Sequence, residues 1–225
     1  LAEKSIEFNR KYISSNILEF ENKKIQSDYS QTILVQDQPI RSFSPVAQRI
    51  IYREVNKIGK TKVLLNGQGA DEFLGGYNKQ IDFYLASILL NFSYAEYSEE
   101  CHAFKKTNRL KAHIKILVKH FLNLDKSQSS EYWSLNTMRS CFLNNIYHRN
   151  LPEFLRYDDH NSMSNSIESR LPFLDFKLTD FIFSQNTKYK ISNGKTKNLL
   201  REAVKEGIIE EIYNGKNKYG FGTSQ

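Results

Sequence analysis

Residues 63–77, VLLNGQGADEFLGGY, crowd acids, amides and glycines into one short stretch. An apolar run, Val63-Leu64-Leu65, stops at Asn66. Gly67 and Gly69 follow, then the adjacent acids Asp71 and Glu72, then Gly75-Gly76. Four of the chain's ten glycines fall here, so backbone geometry is what this stretch specifies. Alternating glycines let the chain turn sharply and point several N–H groups one way. Such a nest, opening onto a helix N-terminus, suits an anion and above all phosphate. Asp71 stands where a carboxylate can hold Mg²⁺ against that phosphate. The same residues also suit a strand–turn–helix whose glycines serve packing and whose Asp71 caps the helix.

Two other stretches carry chemistry. Residues 158–175, DDHNSMSNSIESRLPFLD, set polar and charged groups around the apolar LPFL. Glu168 and Arg170 form either an exposed pair worth almost nothing or a buried pair that fixes a loop beside a site. Asp158-Asp159-His160 lacks a further ligand in register and reads as a cap or surface run. Residues 215–222, GKNKYGFG, are rich in glycine and lysine. Mobile lysines there suit closure over phosphates, and a flexible connector is the other reading. His102, His113 and His120 show no metal-ligand spacing.

The elements that must position these groups follow from periodicity and punctuation. Residues 2–14 read as a helix and Ile17–Phe20 as a short strand. A second helix spans 24–36 and stops before Pro39, which biases its predecessor away from helix. Ser44-Pro45 opens the next, with serine as cap and proline first inside. Val46, Ile50, Ile51, Val55 and Ile58 line one face, and Gly59 ends it. Val63–Leu65 reads as a buried strand. Helix–strand–helix order around a glycine turn points to a parallel α/β sheet with ligands at the strands' C-terminal ends. Residues 78–150 contain neither glycine nor proline and read as helical. Within them, 102–121 reads as one basic amphipathic helix, packed with its lysines toward water; membrane or RNA docking is the sharper alternative. Residues 123–130 read as a loop and 131–148, with Trp133 and Leu135, as a helix. Pro172–Asp175 opens a helix over 176–183. Residues 193–206 read as a glycine turn and a helix with Leu199, Leu200 and Val204 inward.

Composition bounds the rest. The chain has 225 residues, 40% of them hydrophobic and 13% aromatic, which excludes wholesale disorder. A net charge of +7 permits polyanionic partners, but Lys and Arg are spread along the chain and read as a solvated surface. Two distant cysteines, Cys101 and Cys141, fit a reducing compartment and no structural zinc. No segment reaches the length of a membrane span. The chain lacks an initiator Met and stops just after a motif-like run, so it reads as a piece of something larger.

Three motifs, in this order, resemble the synthetase domain of glutamine-dependent asparagine synthetases. VLLNGQGADEFLGGY is similar to that family's strand and S-G-E/D/Q-G-x-D-E-x-x-G-G-Y loop. SMSNSIESRLPFLD is similar to its S-x-E-x-R-x-P-F-L-D stretch. NGKTKNLLREAVKEGIIEEIYNGKNKYGFG is similar to its K-x-L-L-R-E-A helix and K-x-G-F-G loop. Asp37-Gln38-Pro39 resembles the D-E-P before the central helix. The likeness spans roughly residues 1–225, and three ordered motifs are more specific than any one.

The resemblance implies an α/β fold: an incomplete parallel sheet of the adenine-nucleotide α-hydrolase (PP-loop ATP pyrophosphatase) type with a large helical portion. It implies a partial synthetase domain over 1–225, with 1–77 the remaining α/β part and 78–225 mainly helical. The family's S-G-G-x-D-S phosphate loop and its glutaminase domain are not in this chain. The implied chemistry is ATP-dependent amide formation through an aspartyl-adenylate, with asparagine, AMP and pyrophosphate as products. ATP and Mg²⁺ are the implied cofactors; aspartate and ammonia are the other substrates. By motif position Asp71 is the magnesium and pyrophosphate acid. Asn66, Gly67 and Gly69 bind the nucleotide. Lys218 is the mobile lysine, with Lys197 and Arg201 as further phosphate candidates. Glu168, Arg170 and Asp175 shape the site's wall. Gln68 stands where many relatives have Glu, and an amide cannot act as a base. That leaves open another acceptor, such as a sugar acid, β-lactam precursor or peptide. A non-catalytic basic module and a degenerate homologue are the remaining alternatives. The resemblance further implies a cytoplasmic ligase, no turnover by these 225 residues alone, no nucleic-acid or membrane partner, and a homodimer for the full-length protein.

Overall fold

The computed structural model describes residues 25–122 and 137–215. In chain order its elements begin with helices α1 (Ile25–Gln36) and α2 (Ser44–Ile58), strand β1 (Val63–Leu65) and the short helix α3 (Ala70–Leu74). Helices α4 (Asn78–Leu90), α5 (Tyr94–Ala103), α6 (Leu110–Phe121), α7 (Thr137–Tyr147) and α8 (Asn150–Met163) follow. Strand β2 (Glu168–Arg170), helix α9 (Phe176–Ser184), strands β3 (Ile191–Ser192) and β4 (Lys195–Thr196), and helices α10 (Asn198–Ala203) and α11 (Glu210–Tyr213) complete it. The result is mixed α/β, mostly helical with small sheets. The chain divides into two compact units. A larger one gathers Gly69–Pro152 and 173–215, a smaller one 25–68 and Glu153–Pro172. The readings made for residues 2–14, 17–20, 123–136 and 216–225, Lys218 among them, lie outside the described residues.

In the smaller unit, α1 ends where Asp37 turns to φ 52° and its N–H reaches Ile33 O at 3.1 Å. An ion pair from Arg53 to the buried Asp28 ties α2 to α1. Ser44 is not the cap expected of it. Helical backbone already begins at Phe43, whose carbonyl accepts from Val46 and Ala47, so Ser44 is the first residue inside α2. Gly59 closes α2 at φ 74°, as its position in the sequence predicts. Val46 and Ile50 are buried, but Ile58 at the far end of the same face is 58% exposed. β1 pairs with β2 in parallel, Val63↔Glu168 through Leu65↔Arg170. The expectation of a buried strand fails here: Leu65 is 75% exposed. Among the described residues β1 has one partner strand, and nothing covers the face that Val63 and Leu65 share. β2 itself was not foreseen, because its three residues are polar and lie between a helix and Pro172.

The larger unit is built on α4. Ile81, Phe83, Tyr84, Leu85 and Ile88 are buried nearly all round the helix, the pattern of a central element. Tyr97 and Cys101 of α5, Met138, Cys141 and Phe142 of α7, and Ile191 of β3 complete this core. Both cysteines are buried thiols. The glycine- and proline-free region is mainly helical in its described part, with turns between the helices. The single helix expected over 102–121 is instead broken. Phe104 ends α5, Lys105 adopts φ 56°, and a 3₁₀ turn over Thr107–Arg109 leads into α6. The break lets Lys106 N–H bond Cys101 O at 2.7 Å while its ammonium reaches Asp82 at 2.7 Å. His113 and His120 of α6 are buried, whereas Ile114, Val118 and Phe121 stay half exposed. Asn193-Gly194, both at positive φ, turn β3 into β4 and form a hairpin. The sequence reading saw only a glycine turn, although an Asn-Gly pair is a recognised hairpin signal. The helix that follows stops at Ala203, and Val204, expected inward, is 38% exposed. No described helix is long and apolar enough to cross a membrane.

Candidate functional site

The glycine stretch organises the larger unit's share of the candidate residues. Gly69 has φ 97° and precedes α3, accepting from Phe73 N–H at 3.1 Å. A side chain there would be strained in backbone and would meet Leu174 at 2.6 Å. Asp71, in the first turn of α3, forms an ion pair with Lys197 at 2.6 Å. This excludes the capping role for Asp71, since Gly69 is the residue at that position. Gly76 turns back against the pair: a Cβ there would lie 1.7 Å from Asp71 Oδ1 and 2.8 Å from Lys197 Cε. A side chain at Gly76 would force this pair to shift.

Glu72 points the other way. It is fully buried and accepts from the Tyr77 hydroxyl at 2.5 Å. Gln80 Nε2 donates to Glu72 O at 3.2 Å, and Tyr77 N–H donates to Gln80 Oε1 at 2.8 Å. Burial and the Glu72 carboxylate push the Tyr77 hydroxyl far above its usual range, so it stays a proton donor. Thus the second acid of the motif anchors the loop while the first faces a lysine. Lys197 is delivered by the hairpin. It sits at φ 57° just before α10, and Asn198 N–H bonds Lys190 O at 3.0 Å.

Arg201 and Asp175 have clear local duties. Arg201 donates to the carbonyls of Thr196, Ile212, Tyr213 and Gly215 at 2.5–2.8 Å, gathering the orphan carbonyls around α11. Asp175 caps α9, accepting from Lys177 and Leu178 N–H at 3.0 and 3.1 Å.

In the smaller unit the candidate residues gather at the end of β1. Asn66 continues the ladder through its N–H to Arg170 O at 2.8 Å, and its Nδ2 donates to Asp158 Oδ1 at 2.6 Å. Gln48 Nε2 and the Tyr52 hydroxyl reach the same oxygen at 2.7 and 2.5 Å. Asp158 is therefore no surface or cap residue: it is 2% exposed in the interior of α8, where neutral donors converge on it. Burial and the Asp158 hydrogen bond raise the Tyr52 hydroxyl to about 12. Gly67 has open space where a side chain would project. Glu168 and Arg170 pair at 2.8 Å on the exposed face of β2. Of the two readings offered for them, this is the exposed one. Among the described residues no group of three His, Cys, Asp or Glu side chains could hold a metal by itself.

The sequence reading missed four residues that shape these sites. Tyr52 carries a signal in that it falls on a helix beside the apolar Ile50 and Ile51, where a polar group needs a partner, whereas the charged triplet around Asp158 carries none. Glu72 and Tyr77 stand inside the motif, where sequence alone does not tell a buried anchor from a ligand-facing acid.

The asparagine synthase family model matches residues 11–225. Asparagine synthetase 1 (glutamine-hydrolysing) of Bacillus subtilis is 26% identical over 217 residues, covering 82% of this chain and 34% of the relative. Asparagine synthetase 3 of the same organism is 26% identical over 207 residues, covering 88% of this chain and 32% of the relative. The amidase chyE of Penicillium rubens is 39% identical over 80 residues, 32% of this chain and 12% of the relative. The chain spans about a third of the length of the Bacillus relatives. No solved structure matches it significantly. With the three motifs, the loop that joins Asp71 to Lys197 and a family match over nearly its whole length, the chain belongs to the asparagine synthase family.

Proposed function

We propose that this chain is the later part of a synthetase domain that forms an amide bond at the expense of ATP. The observation that carries the reading is the Asp71–Lys197 ion pair, which joins the first and third motifs across a glycine loop. In this reading ATP is attacked at its α-phosphorus by the aspartate side-chain carboxylate, and ammonia then displaces AMP from the adenylate. Charge builds on the departing pyrophosphate, and a lysine beside the phosphates offsets it. Lys197 is suited to that task, with Lys218 as a second cation. Asn66, Gly67 and Gly69 line the nucleotide's path, and Gln68 orients a substrate by hydrogen bonding. Arg201 supports α11 and only indirectly the phosphates, and Glu168, Arg170 and Asp175 hold the surrounding elements.

The donor set at Asp71 fits Mg²⁺ in its usual mode, one protein carboxylate completed by phosphate oxygens and water. When bound, the ion supplies charge neutralisation at the phosphates. Asp71 would contribute a carboxylate oxygen to it, and Lys197 orients that carboxylate through their ion pair.

Among the described residues the β1–β2 pair is, in this proposal, the part that belongs to a PP-loop-type parallel sheet. Residues 1–77 are its α/β part and 78–225 its mainly helical part. Turnover draws on an upstream phosphate loop, and ammonia comes from a glutaminase domain in a homodimeric cytoplasmic protein. A second reading keeps the adenylation and changes the acceptor. The likeness to the amidase chyE and the amide at Gln68 favour it. The test is ATP–pyrophosphate exchange in the full-length protein with a panel of carboxylate acceptors. Asp71→Asn and Lys197→Met each lower exchange about 100-fold with unchanged circular dichroism. Exchange at the parent rate in both variants overturns the reading.

A further inference from the structure

The larger unit contains a cavity of about 500 Å³ whose lining shares no residue with the Asp71–Lys197 pair. Ile88, Met138, Phe142 and Phe183 supply apolar and aromatic wall. Two polar groups on that lining lack partners among the described residues. Lys190 is 3% exposed, and its ammonium faces only rings, Phe142 at 5.2 Å and Phe183 at 5.7 Å. The Thr137 hydroxyl is buried without a hydrogen bond.

A buried ammonium with no anion beside it is costly, and two ring faces offset only part of that cost. Burial alone drives Lys190 down to about 8, so at neutral pH it is still mostly charged. Elsewhere on the lining Lys188 is matched by Glu96 at 2.7 Å. The cavity therefore holds one buried cation that no described anion matches, on a lining of mixed polar and apolar groups. Its volume lies in the range of small-molecule sites. A ligand that satisfies it brings one negative charge, two acceptor oxygens and an apolar body.

We propose that this cavity binds a small amphipathic carboxylate, its carboxylate seated on Lys190 and Thr137 and its apolar body against the wall that Ile88, Met138, Phe142 and Phe183 form. A neutral ligand of the same shape leaves the ammonium uncompensated. A free phosphate fills little of the aromatic wall and brings more charge than one buried cation can match. Lys190 is joined to Lys197 by the β3–β4 hairpin, and its carbonyl holds the start of α10, so an occupant also stiffens the segment that carries Lys197.

The experiment is calorimetric titration of the protein at neutral pH with phenylacetate, hexanoate, phenylacetamide and inorganic phosphate. At least one of the two acids binds saturably. Phenylacetamide and phosphate bind about tenfold more weakly or not at all, the scale of one lost charged hydrogen bond. Lys190→Met weakens the acid by about tenfold and Thr137→Val by about threefold, the latter isosteric and the safer to fold. If Lys190→Met does not fold, the acid–amide difference and Thr137→Val decide. No saturable acid binding, equal binding of acid and amide, phosphate bound more tightly than both acids, or acid affinity unaltered in the folded variants overturns the proposal.

Discussion

Two aspartates, one in each unit, show how differently the chain uses the same side chain. Asp158 is enclosed, and neutral donors from Gln48, Tyr52 and Asn66 converge on one of its oxygens. Asp71 is about a quarter exposed and faces a lysine that is equally accessible. The first arrangement uses a carboxylate as a knot between helices α2 and α8 and the end of β1. The second holds a charge pair at a surface where phosphates or a cation can intervene. A buried carboxylate satisfied by neutral groups has little to offer a substrate, while an accessible ion pair exchanges partners at small cost.

That contrast can be broken by substitution. Asp158→Ala strands several buried donors and should lower stability by about 3 kcal/mol in urea denaturation. Asp71→Asn should change stability by less than about 1 kcal/mol. The reverse order would mean that the roles of the two aspartates have been exchanged.

Lys190 sharpens the comparison from the side of a charge with neither kind of support. Its folded-state value of about 8 lies below the ordinary 10.5, so between those pH values the unfolded chain holds more protons. Its contribution to stability should rise through that window, on the order of 2 kcal/mol, and Lys190→Met should abolish the rise. Thermal denaturation between pH 7 and 10.5 in both proteins measures it.

Two further carboxylates set the lower end of the scale. Asp175→Ala removes a helix cap and should cost about 1 kcal/mol, most of it restored in Asp175→Asn. Glu168→Ala breaks an exposed strand pair and should cost less than about 0.5 kcal/mol. A loss above that in chemical denaturation would show that the pair has a structural role its exposure does not suggest.

The legible parts of the fold were those encoded locally. Gly59 as helix end, the α9 start at Pro172–Asp175 and the helical run after Tyr77 depend on neighbours in sequence, and all appear as expected. The break at Lys105 was not legible, because no glycine or proline marks it; it follows from the reach of Lys106 to Asp82 across the unit. β2 was hidden for a similar reason, since a three-residue strand exists by virtue of its partner. At the candidate site, motif spacing singled out Asp71. Which of several lysines meets it is a tertiary fact, read only when the hairpin brings Lys197 against the glycine loop. Asp158 was misjudged because a charged triplet in sequence says nothing about which member turns inward.

The two cysteines have a practical consequence. Both lie in the core of the larger unit, Cys101 beside Tyr97 on α5 and Cys141 on α7, and burial raises the Cys101 thiol above its usual range. Neither is reachable by a thiol reagent in the folded state, and the smaller unit's described residues contain no cysteine. Labelling kinetics under native conditions therefore time the opening of one unit while remaining blind to the other. An internal clock of this kind can report, without any added probe, whether nucleotide or a cavity ligand slows the breathing of the core around α4.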